Sequence, residues 1–323
     1  MRAMVTGGAG FIGSNLVDRL LAEGHEVEVV DDLSTGSLGN LADARNSGGA
    51  LRFHNLDVRS GDLVDLVRHR RPEVIFHLAA QADVRVSVER PVFDAEVNVL
   101  GTIQVLEGAC AAGTAKVVFA ASGGTLYGEP TGADLPVDEH QPHRPLSPYG
   151  VSKKAAIDYL VAYRELHGLE FTALALANVY GPRQDPHGEA GVVAIFAGNL
   201  VAGRPCVIFG DGSQTRDYVY VADVARANVL AADARLPEPD GTVDARAFNI
   251  GTGVETSVTA LAEAMIAAAG VEVSVDHAAA RAGELLASAL TAAKAERILG
   301  WTPQVSLAEG LRHTYDWLRG DAA

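Results

Sequence analysis

Residues 6–13 read Thr6-Gly7-Gly8-Ala9-Gly10-Phe11-Ile12-Gly13, closing a strand-like run at 3–6 and opening a helix-like stretch at 10–22. Gly7 permits a tight turn, Gly10 lets backbone N–H groups approach a pyrophosphate, and Gly13 lets helix and strand pack closely. Phe11 and Ile12 lie in the first helical turn, whose N-terminus brings positive potential to an anion. Eighteen residues after Gly13, the second strand-like run (26–30) ends in Asp31-Asp32. A carboxylate there accepts hydrogen bonds from adenosine ribose hydroxyls and repels a 2′-phosphate, which favours NAD over NADP. The plain alternative is a glycine turn followed by acidic surface residues. Asp57 and Val58 fit an adenine edge, His77-Leu78-Ala79-Ala80 ends a strand facing the cofactor, and Asn98 braces the site from a helix.

Outward from this motif, strand-like runs at 51–55, 74–78, 116–120 and 171–176 alternate with helix-like stretches at 61–68, 93–112 and 149–167. The runs are apolar nearly throughout, as in a parallel sheet covered on both faces. The expected fold is α/β: a Rossmann-type doubly wound parallel sheet over residues 1–177, then a smaller mixed α/β substrate lobe over 178–323, with some chain crossing between them. Beyond residue 177 the pattern loosens, with Gly181-Pro182, Asp185-Pro186, Gly210-Asp211-Gly212 and a loop at 236–241. Helix-like stretches return at 258–269 and 306–319. The Ala-rich region 260–295 is helix-prone.

Composition narrows the class. Of 323 residues, 48% are hydrophobic and 21% charged, and 41 acidic against 26 basic side chains give a net charge of −15. Such a surface repels nucleic acid and anionic membranes. There is no apolar run near the roughly 20 residues of a membrane span and no signal-like segment, so a cytoplasmic location is expected. Cys110 and Cys206 are expected to be reduced, buried small hydrophobes. The 68–71 run, Arg68-His69-Arg70-Arg71, ends a helix, where cations complement the dipole. The 185–189 segment contains Asp185, His187 and Glu189 in no zinc-site spacing, so no metal is expected. Trp301 is expected to anchor the core of the C-terminal lobe.

Tyr149 and Lys153 are spaced i, i+4 and share one helix face. A phenol with a reference pKa of about 10 is a poor base at neutral pH. A neighbouring ammonium, with an oxidised nicotinamide close by, favours the phenolate. Tyr149 is then able to take a proton from an alcohol while hydride leaves the same carbon. Lys153 also suits the nicotinamide ribose.

Together with Ser122–Gly128, Asn178-Val179-Tyr180-Gly181-Pro182-Arg183, Thr215-Arg216-Asp217-Tyr218 and Arg281-Ala282-Gly283-Glu284, these motifs resemble the extended short-chain dehydrogenase/reductase family. Within it the chain is similar to the NAD-dependent UDP-hexose 4-epimerases, the UDP-glucose/UDP-galactose type. The resemblance implies NAD contacts at Leu33, Ser34, Thr35, Gly36, Gln81 and Ala120 beside those above. It implies substrate contacts at Val84, Ser122, Tyr149, Asn178, Arg216, Arg281 and Glu284, with Val193 and Phe209 near the uracil. Arginine forks suit diphosphate oxygens. The implied partners are a UDP-sugar and a second copy of the chain, forming a homodimer through the helices near 93–112 and 149–167.

The sequence departs from the family at one catalytic position. Counting back from Tyr127-Gly128, the usual Ser or Thr is Gly123, so either Ser122 or Thr125 is the candidate proton shuttle, Ser122 preferred because it ends its strand. Related 4,6-dehydratases carry an Asp-Glu pair in this stretch, whereas Gly124-Thr125 offers no acid. Ser288 matches the position where bulk excludes N-acetyl groups, and being small it leaves room for UDP-N-acetylhexosamines. Other readings are a UDP-glucuronate 4-epimerase, a nucleotide-sugar 4,6-dehydratase, a nucleotide-sugar reductase or 3β-hydroxysteroid-type dehydrogenase with exchanging cofactor, and a non-catalytic NAD binder.

Overall fold

The computed structural model describes residues 1–186, 191–237, 246–280 and 285–320. Strands β1 (Arg2–Thr6), β2 (Glu26–Asp31), β3 (Leu51–Asn55), β4 (Val74–His77), β5 (Lys116–Ser122) and β6 (Glu170–Leu176) form one sheet with the strand Ala247–Ile250. The order is the 247–250 strand, β6, β5, β4, β1, β2, β3, and every pairing is parallel. Strand order reverses between β1 and β4, and ligands of such sheets bind in the crevice beyond the strands' carboxyl ends at that point. Thr6 is in register with both Val30 and His77. Gly7 therefore leaves the sheet at the mouth of the crevice.

The period-two alternation of side chains divides the core cleanly. On one face Ala3, Val5, Val27, Val29, Val118 and Phe248 pack on α1 (Phe11–Ala22) through Leu16, Val17 and Leu20, and on the helix Val221–Asp233 through Val224 and Ala227. On the other, Met4, Ile75, Val117, Phe119 and Phe171 meet Leu63, Val67, Val105, Leu106, Ile157 and Leu160. A third cluster, with Tyr180, Val193, Phe196, Ile208, Leu261 and Tyr315, is the core of the smaller lobe.

The seventh strand and the helix Val221–Asp233 join the sheet from the C-terminal half, as chain crossing between the lobes entails; the strand itself, a four-residue run containing Asn249, carries too little periodicity to be recognised alone. Other expectations are corrected here. The Ala-rich region is not one helix. The helix Val258–Ala269 stops at Gly270, which takes a left-handed φ of 65°. Val275–Ala278 then pairs in parallel with Cys206–Phe209, where β-branched residues outweigh the alanine propensity. The 93–112 stretch is three joined pieces, Pro91–Ala95, a π-helical Glu96–Leu100 and Gly101–Ala112. Trp301 belongs to the sheet's core rather than the lobe's: it is fully buried among the residues packed on α1 and donates Nε1–H to Asp223 O at 2.8 Å.

Arg68, His69 and Arg70 do end a helix, Asp62–Arg70; both cysteines are free, Cys206 buried as expected but Cys110 only partly so. The 236–241 loop lies outside the described residues from 238 onward, as do His187 and Glu189. Among the described residues no helix is long and apolar enough to cross a membrane.

Replacing Trp301 by Ala removes a large buried side chain and leaves the Asp223 carbonyl without its indole donor. The unfolding free energy is expected to fall by about 3–5 kcal/mol, read as a lowered urea midpoint at unchanged slope.

Candidate active site

The crevice is built from the end of β1 outward. Gly7 has φ 71°, and a Cβ there would stand 2.6 Å from Ala79 N, on the backbone leaving β4. A Cβ on Gly13 would stand 2.1 Å from Gly7 O. Both positions thus exclude any side chain, and α1 comes down close against its strand. Gly10 is the N-cap of α1, with no side-chain cap. The first-turn amides of Phe11, Ile12 and Gly13 are therefore presented to the crevice, as a diphosphate requires.

The acidic end of β2 divides into two roles. Asp31 is buried and accepts from Ala9 N and Leu33 N, both at 2.9 Å. Burial pushes its carboxyl pKa up, and those amide donors pull it back. Leu33 adopts a left-handed φ of 60°, which folds the loop so that its N–H meets Asp31. Gly36 closes the same turn, since a Cβ there would lie 2.7 Å from Asp31 Oδ1. Asp32 is exposed and accepts from Ser34 N at 2.9 Å and Ser34 Oγ at 2.6 Å, with Thr35 exposed beyond. Asp57 is gripped by the Arg59 guanidinium, 2.9 Å from Nε, which holds its carboxyl below the usual range. Val58 turns its side chain into the core against Gly101.

A buried relay spans the strand reversal. Thr102 Oγ donates to Asn98 O at 2.7 Å, so it accepts from His77 Nε2 at 3.0 Å. His77 Nδ1 is then the acceptor for Thr6 Oγ at 2.7 Å. Full burial, helped by the charge of Lys153, lowers the His77 pKa to about 3, so the ring is neutral. Asn98 sits in the π-helical turn, a deformation common at functional sites. Its Oδ1 accepts from Gln81 N at 2.9 Å, and its Nδ2 reaches Gln81 O, Asp94 Oδ1 and Ser152 Oγ at 2.9, 3.0 and 3.1 Å. Gln81 spends its side chain within this loop, on Asp83 and Asp94. Leu78, Ala79 and Ala80, half-buried, line the turn between them.

The helix Pro148–His167 starts where the sequence demands. Ser147 caps it through Gly150 N at 3.2 Å, and Pro148 fills the first position. Tyr149 and Lys153 follow one turn apart, 9% and 2% exposed. Lys153 Nζ donates to Ala120 O at 2.9 Å near the carboxyl end of β5, and lies 4.8 Å from the Phe119 ring centre and 5.8 Å from that of Tyr149. Ser152, between them, links the helix to Asn98.

Ser122 ends β5, and Thr125 lies in the short helix Gly123–Leu126, its Oγ 3.4 Å from Ser122 O. A Cβ on Gly123 would come 2.3 Å from Leu290 Cδ1. Leu290 thus fills the place a side chain at 123 would take.

From the smaller lobe, Asn178 is exposed and opens the strand Asn178–Tyr180, paired with Tyr218–Tyr220. Arg216 is half-buried and donates to Thr215 O at 2.7 Å. Phe209 ends its strand half-buried, whereas Val193 is buried in the lobe core. Val84 opens the helix Val84–Glu89, which Asp83 caps. Ser288 is buried, its N–H on Thr215 O at 3.2 Å. Arg281 and Glu284 lie outside the described residues.

Two supports escaped sequence reasoning. Asp217, 1% exposed, accepts from Thr252 N, Thr252 Oγ, Gly253 N and Leu290 N, and its carbonyl accepts from Asn178 N at 2.9 Å. It thereby joins Asn178, Arg216 and Leu290. The available signal was an acid embedded between Arg216 and an apolar tyrosine strand. Tyr127 donates to Asn249 Oδ1 at 2.7 Å, and Glu139 accepts from Asn249 N at 2.7 Å. These partners are over 100 residues apart in sequence, and no local pattern marks them.

A family model described as GDP-mannose 4,6 dehydratase matches residues 4–314. The chain belongs to that family, within the extended short-chain dehydrogenases/reductases. Among its members, the chain is 50% identical over 319 residues to the UDP-glucose 4-epimerase of Mycolicibacterium smegmatis, covering 99% of each. It superposes with a TM-score of 0.91 on the UDP-glucose 4-epimerase of Thermotoga maritima solved with UDP-glucose, at 42% identity and 99% coverage of both chains. The NAD complex of the Thermus thermophilus UDP-glucose 4-epimerase gives a TM-score of 0.89 at 43% identity, also covering 99% of each.

The His77 ring has a consequence for stability. Its folded pKa is about 3, while the unfolded chain protonates it near 6.5. Between those values the unfolded state holds the extra proton, so stability falls as pH drops through this window. Urea titrations at pH 7, 5.5 and 4.5 are expected to show a shallower acid loss for His77→Gln than for the parent, even though the variant starts less stable.

Proposed function

We propose that this protein interconverts the C4 epimers of a UDP-hexose, with UDP-glucose and UDP-galactose as its pair, using NAD that stays bound. One observation carries the reading: Tyr149 and Lys153 lie one turn apart on the buried face of one helix, with the ammonium seated on Ala120 O beside the crevice. The glycine cradle and the uncapped start of α1 suit the NAD diphosphate, and inward-facing Asp31 suits its ribose. When bound, NAD supplies the hydride acceptor and later the donor for sugar C4. Tyr149, as phenolate, takes the 4-hydroxyl proton as C4 becomes a ketone, and returns it after the keto sugar has turned about its bond to the diphosphate. Lys153 stabilises the phenolate and holds the nicotinamide ribose. Ser122, or Thr125 in its place, passes the proton. Asn178, Arg216 and Arg281 hold the substrate diphosphate, and Phe209 borders the uracil, whereas Val193, expected there too, is closed into the lobe core.

The absence of an acid at Gly124-Thr125 favours epimerisation over water elimination, which needs a general acid and base there. Small, buried Ser288 extends the reading to N-acetylated hexosamines. Val92 and Leu100, 71% and 55% exposed on the helices expected at the dimer seam, support a homodimer.

A panel of UDP- and dTDP-sugars, incubated without added cofactor and resolved by chromatography, tests the reading. A mass-neutral epimer is expected; loss of water or carbon dioxide overturns it. Tyr149→Phe is expected to cut turnover by at least about 10²–10⁴-fold while NAD still co-purifies. Turnover of UDP-galactose but not of UDP-N-acetylgalactosamine would refute the part given to Ser288.

A further inference from the structure

The Asn178 motif ends at Arg183, a residue in the left-handed region at φ 73°. Such a conformation in a non-glycine residue persists only where its surroundings hold it. Here they do. The guanidinium, 11% exposed, lies 2.6 Å from Asp18 Oδ2 on α1 and 3.0 Å from Asp43 Oδ2 on the short helix Ala42–Asn46. One residue earlier, Pro182 O accepts from Asn15 Nδ2 at 3.2 Å, and the same amide reaches Phe11 O at 2.9 Å. Phe11, Asn15 and Asp18 follow i, i+4, i+7 spacing, so one stripe of α1 carries these contacts, with Asp43 added from the helix Ala42–Asn46. Phe11 and Ile12 also pack on the smaller lobe's core. The helix whose first turn faces the NAD diphosphate is therefore tied directly to the loop that begins at Asn178.

We infer that Arg183 is a positioning residue that couples the two ligand sites, so that holding the substrate diphosphate at Asn178 tightens the grip on NAD. The inference rests on the substrate reading of Asn178 given above. Coupling of this kind is reciprocal: if UDP raises NAD affinity, NAD raises UDP affinity by the same factor.

The test follows NAD release from the holoprotein with and without UDP, a probe that carries the diphosphate and undergoes no turnover. In the parent, UDP is expected to slow release by about tenfold, within the usual range of such coupling. In Arg183→Met, which keeps chain length and the backbone strain but loses the charge, the effect is expected to shrink to within about twofold. Asp18→Asn, a milder change should the first variant fold poorly, is expected to do the same, and Arg183→Lys to restore part of it. Either a parent indifferent to UDP or variants that keep the full UDP effect would overturn the proposal. The 4-epimerase reading is judged separately, by whether the parent converts UDP-galactose at all.

Discussion

The hydrogen-bond relay from Thr6 through His77 and Thr102 to Asn98 crosses the place where the sheet reverses its strand order, and the site's geometry depends on it. At that reversal the chain leaving β1 and the chain leaving β4 diverge, and a crevice opens between them. Two diverging loops have no ladder to hold them in register. A neutral imidazole, accepting from one strand's threonine and donating toward a helix, supplies that register from within the core. A charged ring would break the sequence of donors, because Nδ1 would cease to accept. Burial, which keeps it neutral, is therefore part of the arrangement rather than incidental to it.

Local charge, not the net charge, bears on how an acidic protein would hold two diphosphates. A net charge of −15 opposes such ligands at long range, but screening confines that opposition to about a Debye length. Within the crevice the local terms differ in sign. The uncapped α1 terminus and Lys153 lie at the crevice, and Asp57 and Asp217 are neutralised by an arginine fork and by amide and hydroxyl donors respectively. Asp31, buried at the end of β2, stands where the proposed reading puts ribose hydroxyls rather than phosphates.

How much of this was legible follows from the range over which each constraint acts. The glycine cradle, the ends of β2 and β4, and the Ser147-Pro148-Tyr149 helix start are local, set by residues within a turn of each other. They stood in the sequence with nearly their observed boundaries. The seventh strand was not legible, because a short run such as Ala247–Ile250 becomes a strand only by pairing with β6, some 70 positions earlier. The π-helical turn was hidden too: the five residues Glu96–Leu100 are too few to show a change of period. Asp217 and the Tyr127–Asn249–Glu139 set act through partners brought in by the fold. Trp301 was rightly read as a core residue but given to the wrong core, since a buried tryptophan says nothing of which face receives it.

The departure at Gly123 joins these scales. A hydroxyl missing from a catalytic position looks like a local loss, but the space it would occupy is filled by Leu290 Cδ1. Leu290 is in turn held by its N–H on the Asp217 carboxylate and by its bridge to Val137. Asp217 meanwhile receives the Asn178 amide on its carbonyl. The Asn178–Tyr180 strand, the leucine and the glycine thus form one packed unit. A serine placed at 123 would push against that unit, so a proton-handling hydroxyl, as proposed above, is expected from a neighbour already outside it. Ser122 at the strand end and Thr125 one helical turn on both meet that condition, and neither requires Leu290 to move.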